Sequence, residues 1–382
     1  MADDARLSSI IDDEGRLFGL VNIIDAAVVG LALILIAGGL GLWVAGGSGA
    51  TEAETRYVTV ELESHPTFIA EQISEGDQWN PSGTSDTLTI TDVYHYTDDG
   101  DGNINTIVRA EMKGTQLDPA DTEADAIDFA GSPVRYGSKL EIEMSSYGVS
   151  GTVVEIDRDQ STLQTGTESF VIEMDLDKRT ADSIAVGDRF QLGESDLVVL
   201  ETVTVYPIPG DDGHDRRAII GATGQVQFDG DISLLGQQQI RTGSDLTIQT
   251  QANDLSGNVI RVGSPEEPGT PDTRTATVEL SDVSLEQTDA LSTGLTEETE
   301  GLETAEIVDM TDQPAQETVV IDGNVATRED PLNRDVTLAV ELNVRQLDDG
   351  EIQFRGESLE IGQEIAFDFG TSTVEGQLTD IE

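Results

Sequence analysis

The sequence predicts a mainly β protein in which a single N-terminal transmembrane helix is followed by three tandem, small antiparallel β-domains. Three observations predict this fold class. One long uncharged stretch lies near the N-terminus, a pattern of glycine and apolar residues occurs three times after it, and within each occurrence apolar residues alternate with polar ones between turn signals. We expect each domain to be a compact barrel or sandwich with one short helix.

The composition indicates a folded protein from a high-salt environment, of the kind found in haloarchaea. The chain has 382 residues, 75 acidic and 20 basic, with a net charge of -55. Acidic chains with few aromatic residues can be disordered, but 37% of these residues are hydrophobic and they fall in strand-like patterns. At molar salt the Debye length shrinks to about 3 Å, so the carboxylates repel one another only at short range.

The same composition excludes two classes of function. Nucleic-acid binding needs a basic surface, and this chain is strongly acidic. There is no cysteine, which excludes disulfides, thiolate metal sites and cysteine nucleophiles. We therefore expect proteins and the membrane as partners, and no nucleic acid.

The N-terminal part of the chain predicts a membrane anchor. Residues Ala26 to Ala50 carry no charge, and a helix of this length spans about 37 Å, enough to cross an apolar bilayer core of about 30 Å. A cleaved secretory signal is the alternative, but it would have a positive leader and an apolar run of only about 7–15 residues. Here Met1–Arg16 holds five acids and two arginines, so we favour an uncleaved anchor.

Positive charges on either side of this span predict its orientation. Arg6 and Arg16 precede it, and Arg56 is the nearby positive residue after it. Because lysine and arginine favour the cytoplasmic side, we expect a single-pass cell-membrane protein with a cytoplasmic N-terminus and extracellular C-terminal domains. The segments are then a cytoplasmic or interfacial segment at 1–25, a transmembrane helix at 26–47 and a tether at 48–55.

The rest of the chain contains three copies of one pattern, "YGSKLEIEMSSYGVSGTVVEI", "TGSDLTIQTQANDLSGNVIRV" and "IGQEIAFDFGTSTVEGQLTDI". Each copy has two glycines 14 residues apart, and all three carry apolar residues at offsets 3, 5, 12, 16 and 19 from the first glycine. This spacing predicts a strand with alternating faces, a connection, and a second strand led by a glycine. We expect the glycines to supply a special backbone angle or a close approach between strands.

Each copy is preceded by a matching front half, which reads as a strand, a short helical turn and an apolar-x-x-Gly stop. The stops are Ile73/Gly76, Ile184/Gly187 and Leu291/Gly294, and a glycine just after a short helix is a common end signal. The third front half lacks the aspartate that follows this glycine in the first two. These patterns predict β-domains at 56–158, 167–263 and 273–382, separated by polar linkers.

The chain resembles the DUF4330 family of single-span membrane proteins. The resemblance rests on "GRLFGLVNIID" before the membrane run, on "AVGD" ending at Asp188, and on the pattern ending "SGNVIRV". It implies a membrane-anchored topology. The family has no established activity, so the resemblance leaves the function open.

A search for catalytic and metal-binding motifs leaves one candidate. The three histidines, His65, His95 and His214, have no zinc-site spacing, and no nucleophile elbow, Walker loop or dinucleotide fingerprint is present. The segment "TDDGDGNIN" places oxygen-bearing side chains at alternate positions, as calcium loops do. The candidate calcium ligands are Asp99, Asp101, Asn103 and Asn105. An acidic hairpin loop between two strands is the alternative, because an isoleucine stands where an EF-hand needs glycine.

These observations favour a non-catalytic, membrane-anchored cell-envelope protein of a halophile. Its tandem β-domains would serve as a scaffold or stalk for protein–protein assembly, as a homo-oligomer or with envelope partners, and we expect no enzyme and no cofactor beyond the calcium of that loop. An alternative is an accessory subunit of an envelope export or transport complex, in which the domains form a conduit or bind exported polymer. A third is an extracellular enzyme or polymer-binding module.

Overall fold

The structure is a computed structural model that divides into two compact units, Met1–Glu52 and Ala53–Glu382. It describes residues 16–17, 21–22, 53–97, 102–117, 125–208, 215–299, 301–321, 324–370 and 372–382. In the first unit, β1 (Arg16–Leu17) and β2 (Val21–Asn22) form an antiparallel pair. The predicted transmembrane helix at 26–47 lies outside the described residues. Within the described residues, no helix has the length and apolar character needed to cross a membrane.

The second unit consists of three similar antiparallel sheets in tandem, which confirms the prediction of a mainly β chain with three β-units. The first sheet contains β3 (Ala53–Leu62), β4 (His65–Pro66), β5 (Gln78–Trp79), β6 (Thr87–Tyr96), β7 (Asn103–Gln116), β8 (Ile127–Phe129), β9 (Ser132–Val134), β10 (Lys139–Glu143) and β11 (Gly148–Asp157). The second contains β12 (Thr165–Asp177), β13 (Arg189–Leu192), β14 (Ser195–Pro207), β15 (Asp215–Asp229), β16 (Ile232–Leu235), β17 (Gln238–Gln239), β18 (Asp245–Gln249) and β19 (Asp254–Val262). The third contains β20 (Thr270–Ser284), β21 (Thr296–Thr299), β22 (Leu302–Ile321), β23 (Asn324–Gln346), β24 (Ile352–Phe354), β25 (Glu357–Ser358), β26 (Glu364–Asp368) and β27 (Thr373–Ile381).

The strand order is the same in all three sheets. It is β5-β6-β7-β3-β11-β10 in the first, β13-β14-β15-β12-β19-β18 in the second and β21-β22-β23-β20-β27-β26 in the third. Each sheet is an open half-barrel and not the closed barrel or two-layer sandwich that the sequence predicted. Closure would require the two edge strands to pair, and the edge strand β5 has only two residues.

One short helix follows the first strand of each sheet, as predicted. These helices are α1 (Thr67–Ala70), α2 (Lys178–Ala181) and α3 (Leu285–Ala290). The predicted glycine stops have positive φ angles of 89°, 91° and 87° at Gly76, Gly187 and Gly294. Each glycine N–H donates a hydrogen bond to a carbonyl of the second long strand, and these acceptors are Ile90, Leu200 and Ile307. The glycine therefore ties the chain after the short helix to the second long strand of the sheet.

The repeated apolar positions form the three cores. At offsets 3, 5, 12 and 16 all the side chains are buried, and at offset 19 all three are half-buried. Each sheet has its own core cluster on one face, and the apolar residue of the glycine stop, three positions before the glycine, is buried in that cluster. The second glycine of each pair lies against the first strand: a Cβ at Gly151, Gly257 or Gly376 would lie 2.6, 2.5 or 2.8 Å from a backbone carbonyl oxygen. A larger residue there would push the two strands apart.

The third sheet departs from the other two in one hairpin. Strand β22 has 20 residues, whereas the corresponding β6 and β14 have 10 and 13. Strand β23 has 23 residues, whereas the corresponding β7 and β15 have 14 and 15. Their pairing continues from Gln316↔Glu329 to Ile321↔Asn324, beyond the last pairing of β23 with β20 at Asn333. The result is a two-stranded ribbon that the sequence patterns did not predict.

Candidate functional site at the joints between the sheets

Contacts between successive sheets bury side chains that belong to no sheet core. We call the contacts between the first and second sheets the first joint, and those between the second and third sheets the second joint. Both use the same element, because a short hairpin of the later sheet reaches the face of the earlier sheet that points away from its core. That hairpin is β16–β17 in the second sheet and β24–β25 in the third.

A buried tyrosine hydroxyl bridges the first joint. Tyr94 lies in β6 and is 2% exposed, and its hydroxyl oxygen accepts a hydrogen bond from the Gly236 N–H at 2.9 Å. The same hydroxyl lies within donating distance of the carbonyl oxygens of Gln225, at 3.2 Å, and Leu234, at 3.3 Å. Burial raises the pKa of Tyr94 to about 12, so the neutral hydroxyl both donates and accepts at physiological pH.

The turn of the β16–β17 hairpin leaves no space for a side chain. Gly236 has a φ of 62°, and a Cβ there would lie 2.4 Å from Cδ2 of Tyr96. Tyr96 is buried and stacks on Tyr94 with ring centroids 5.6 Å apart, so its ring has little freedom to move. Next in the turn, Gln237 donates from Nε2 to Oε1 of Glu61 at 2.8 Å. The first joint therefore requires glycine at position 236.

Apolar side chains close another part of the first joint. Ala70 of α1 and Ile104 of β7 form a buried cluster with Leu192 and Leu197 of the β13–β14 hairpin, and Phe190 packs against it. Burying apolar surface stabilises a contact by about 25 cal/mol per Å². This cluster adds apolar burial to the tyrosine hydrogen bonds and favours one arrangement of the two sheets.

An arginine holds the linker of the second joint. Arg345, at the end of β23, donates from Nε to the carbonyl oxygen of Pro268 at 2.6 Å. Its Nη2 donates to the carbonyl oxygens of Glu267 at 2.9 Å and Gly269 at 2.7 Å. Three consecutive carbonyls of the linker 263–269 are thus fixed by one guanidinium group, whose planar fork suits this arrangement.

A tyrosine of the second sheet contacts the same linker. The hydroxyl of Tyr206 lies 2.9 and 3.2 Å from the two carboxylate oxygens of Glu267, and Thr202 donates from Oγ1 to the carbonyl oxygen of Pro265 at 2.7 Å. Burial raises the pKa of Glu267, and the attraction of Arg345 and the hydrogen bond from Tyr206 do not cancel this shift. The linker, which reads as polar in the sequence, is therefore part of the packed structure.

Ion pairs complete the second joint. Nη1 of Arg217, on β15, lies 2.6 Å from Oε1 of Glu357 in the β24–β25 hairpin, and its Nε lies 3.3 Å from Oε1 of Glu173. Burial raises the pKa of Glu173, against the lowering effect of Arg217. A Cβ at Gly356 would lie 3.1 Å from Cδ1 of Ile219. The second joint thus depends on charge pairs more than the first joint does.

Each joint borders a cleft. The cleft at the first joint has a volume of about 400 Å³ and includes Phe190 and Gln249 in its lining. The cleft at the second joint has a volume of about 420 Å³ and includes Tyr206, Glu267 and Arg345. Both volumes fall within the range of about 300–1,000 Å³ that is usual for small-molecule sites.

The comparison with known families concerns the first sheet and the segment before it. Residues 9–157 match the family described as Domain of unknown function (DUF4330). The match supports this family for that part of the chain, which is less than half of the 382 residues. It includes "GRLFGLVNIID", whereas "AVGD" and "SGNVIRV" belong to the second sheet, outside the matched range. No curated protein and no solved structure matches the chain.

The predicted calcium ligands lie within the DUF4330 region. Asn103 and Asn105 belong to β7, opposite Pro66 of β4 and Tyr96 of β6 respectively. Asp99 and Asp101 lie outside the described residues, so calcium binding stays a prediction. The flanking runs "TLTITDVYHY" and "NTIVRAEM" form β6 and part of β7, as the sequence predicted.

A histidine of the DUF4330 region is mostly buried next to the first joint. His95 lies between Tyr94 and Tyr96 in β6, with its Nδ1 2.9 Å from Oγ1 of Thr106. Burial lowers the pKa of His95 to about 4, and a backbone hydrogen bond at Ile73 only partly offsets this effect. Across the described parts of the chain, no group of three or more His, Cys, Asp or Glu side chains could hold a metal ion.

Sequence reasoning did not find the joint residues. The sequence did contain one signal of the first joint, the two tyrosines Tyr94 and Tyr96 in "VYHY". They lie at alternating positions of a strand whose other face contributes to the core. Large aromatic residues on the second face of a sheet indicate that this face is also covered. Nothing in the sequence pattern indicated that the covering element is the β16–β17 hairpin.

Proposed function

We propose that this chain is a non-catalytic scaffold of the cell envelope, in which three β-sheets are joined in tandem to present surfaces for protein assembly. The observation that carries this proposal is the construction of the two joints. A buried hydrogen bond to Tyr94 connects the first two sheets directly, and Arg345 of the third sheet holds the linker that leads to it from the second. Domains that are connected only by flexible linkers would function without buried contacts between them.

The joints favour a scaffold because they limit the motion of one sheet against the next. Inter-domain motion is the usual expectation for tandem domains unless the interface is extensive and well packed. Here each joint combines a docked hairpin with further contacts. At the first joint these are the apolar cluster around Ile104, and at the second they are the hydrogen bonds from Arg345 to the linker. A body of this kind can keep partners at set distances from one another.

The membrane and the habitat are part of the same proposal. Residues 26–47 would anchor the chain in the cell membrane, with residues 1–25 in the cytoplasm and the sheets outside the cell. The net charge of -55 suits a haloarchaeal protein that remains soluble at molar salt. Partners would be envelope proteins or further copies of the chain.

We also propose that the three sheets arose from one repeated unit. Their identical strand order supports this origin, and so do the equivalent glycines Gly151, Gly257 and Gly376, each of which approaches the first strand of its sheet. In tandem repeat proteins each unit contacts mainly its neighbours, and function lies in the surfaces that the array presents.

The decisive experiment is purification of the full chain at molar salt in mild detergent, followed by mass determination and identification of co-purifying proteins. A scaffold should give an oligomer or a defined complex. A strict monomer without any partner would contradict the proposal. Protease treatment of intact cells tests the sidedness, because sheets outside the membrane are cleaved and sheets inside are protected.

A further inference from the structure

The cleft at the first joint differs in chemistry from the rest of this acidic molecule. Most of its lining side chains are uncharged groups that can donate or accept hydrogen bonds, and one aromatic ring lies beside them. The main ones are Gln191, Gln249, Thr250, Gln251, Asn253 and Phe190. Among the described residues, Asp254 is the one charged residue that lines it, although charged residues make up 25% of the chain. An amide-rich lining is therefore not a consequence of overall composition.

One amide group in this cleft has unused hydrogen-bonding capacity, and a second amide side chain is almost fully buried beside it. Gln249 is 4% exposed. Nδ2 of Asn253 is buried without a partner, while its Oδ1 accepts from Oγ of Ser183 at 3.3 Å. A buried polar group left unpaired costs about 1–3 kcal/mol, so such groups are usually retained for a reason.

The equivalent positions in the other two sheets have different chemistry. Gln249 ends β18, and the residues that end the corresponding strands are Glu143 and Asp368. The next turn contains a hydrogen bond from residue 250 to Asn253, and its counterparts pair Met144 with Tyr147 and Phe369 with Ser372. In the first and third sheets a carboxylate thus replaces Gln249 and a large apolar side chain replaces Thr250, and amides occur at these positions in the second sheet alone. The shared fold does not require these amides.

We propose that the first-joint cleft binds a neutral, hydroxyl-rich ligand, such as a segment of an uncharged oligosaccharide. An amide offers a donor and an acceptor side by side, and each sugar hydroxyl can act as both, so the two sets of groups match. The half-buried ring of Phe190 provides an apolar surface for the C–H face of a sugar ring. Anions are disfavoured by the net charge of -55, and the described lining offers a cation the single carboxylate of Asp254, fewer than a calcium ion takes.

This binding site goes beyond the scaffold role, since it gives the array a contact with a carbohydrate polymer. It also ties that contact to the arrangement of two sheets, because Thr67 and Gly102 of the first sheet border the same cleft. A polymer segment bound there would contact both sheets, and we therefore expect binding to stabilise the first joint.

The test uses the full chain at molar salt with two neutral trisaccharides, maltotriose and chitotriose, in saturation-transfer NMR and calorimetric titration. We expect at least one trisaccharide to bind. Gln249→Leu keeps the size of the side chain but removes its hydrogen-bonding groups, and it should weaken binding about tenfold or more. The matched control is Gln239→Leu, an exposed glutamine of the same sheet away from the cleft, which should leave binding unchanged.

A second variant keeps the test decisive if Gln249→Leu does not fold, as judged by circular dichroism. Asn253→Asp retains the shape but replaces the unpaired amide donor with an acceptor, and it should also weaken binding. The proposal is overturned if neither trisaccharide binds, or if an uncharged peptide competes for the cleft while the sugars do not. It is equally overturned if the cleft variants bind as tightly as the control.

Discussion

The contact between Gly236 and Tyr96 allows a quantitative test of the first joint. In Gly236→Ala the new Cβ meets two obstacles: a φ of 62°, which costs a residue with a side chain about 1–2 kcal/mol, and a ring atom at 2.4 Å. Tyr96 is buried against Tyr94, so the overlap resembles overpacking of a core, at about 1–3 kcal/mol. We expect a total loss of about 2–5 kcal/mol in the free energy of unfolding.

Gly230→Ala separates these two contributions. Gly230 lies one turn earlier with nearly the same φ, 61°, and a Cβ added there would have no other atom within 4 Å. It should lose only the backbone part, about 1–2 kcal/mol. Urea unfolding at fixed molar salt, followed by circular dichroism, measures both variants. Equal destabilisation by the two substitutions would refute the close contact at Gly236, and in a Tyr96→Ala background the difference should disappear.

Three further predictions concern the joints and the groups next to them. Tyr94→Phe leaves the buried Gly236 N–H without its acceptor and should lower the free energy of unfolding by about 1–3 kcal/mol. Burial raises the pKa of Tyr94 from 10.0 to about 12, so the contribution of this group to stability is complete below pH 10 and is lost as the pH rises through 12. His95 has a pKa lowered from 6.5 to about 4, so its contribution of roughly 3 kcal/mol is present above pH 6.5 and is lost as the pH falls through 4. NMR titration should give a midpoint of about 4 for this histidine. Arg345→Gln should release the linker 263–269, which limited proteolysis would detect as new cleavage there.

Each of these predictions has its own control. Tyr136→Phe alters a tyrosine that is 70% exposed and should leave stability unchanged. A midpoint near 6.5 for His95 would show that the histidine is hydrated and not buried. Arg241→Gln changes an exposed arginine of the second sheet and should not open the linker; cleavage at equal rates in both arginine variants would remove the role assigned to Arg345.

Much of the fold could be predicted because the repeated pattern is local. Glycines such as Gly137 and Gly151, with apolar residues at fixed offsets between and after them, specify two paired strands and the face that they bury. The helix stop at Gly187 follows from its position after a short apolar run, and the structure gives this glycine the expected positive φ. Each of these features depends on residues that lie close together in the chain, so their spacing is sufficient to reveal them.

The joints could not be predicted in the same way. Tyr94 and Gly236 are 142 residues apart, and neither belongs to a periodic pattern that points to the other. The linker 263–269 reads as polar and flexible because it is rich in proline, glycine and acids, yet Arg345 and Tyr206 hold it against two sheets. The composition of a segment indicates how soluble it is, but whether the segment is buried depends on which distant side chains pack against it.

The sequence by itself therefore determined the strongly acidic character of the chain and the three similar sheets with their cores, and it predicts the membrane anchor. Only the tertiary structure decided that each sheet is an open half-barrel, that hairpins dock one sheet on the next, and that Gln249 and Asn253 line the same cleft. The physical reason is the range of the interactions. Alternation and turn chemistry act over a few neighbouring residues, whereas docking depends on the shapes and hydrogen-bonding groups of surfaces that form only after each sheet has folded.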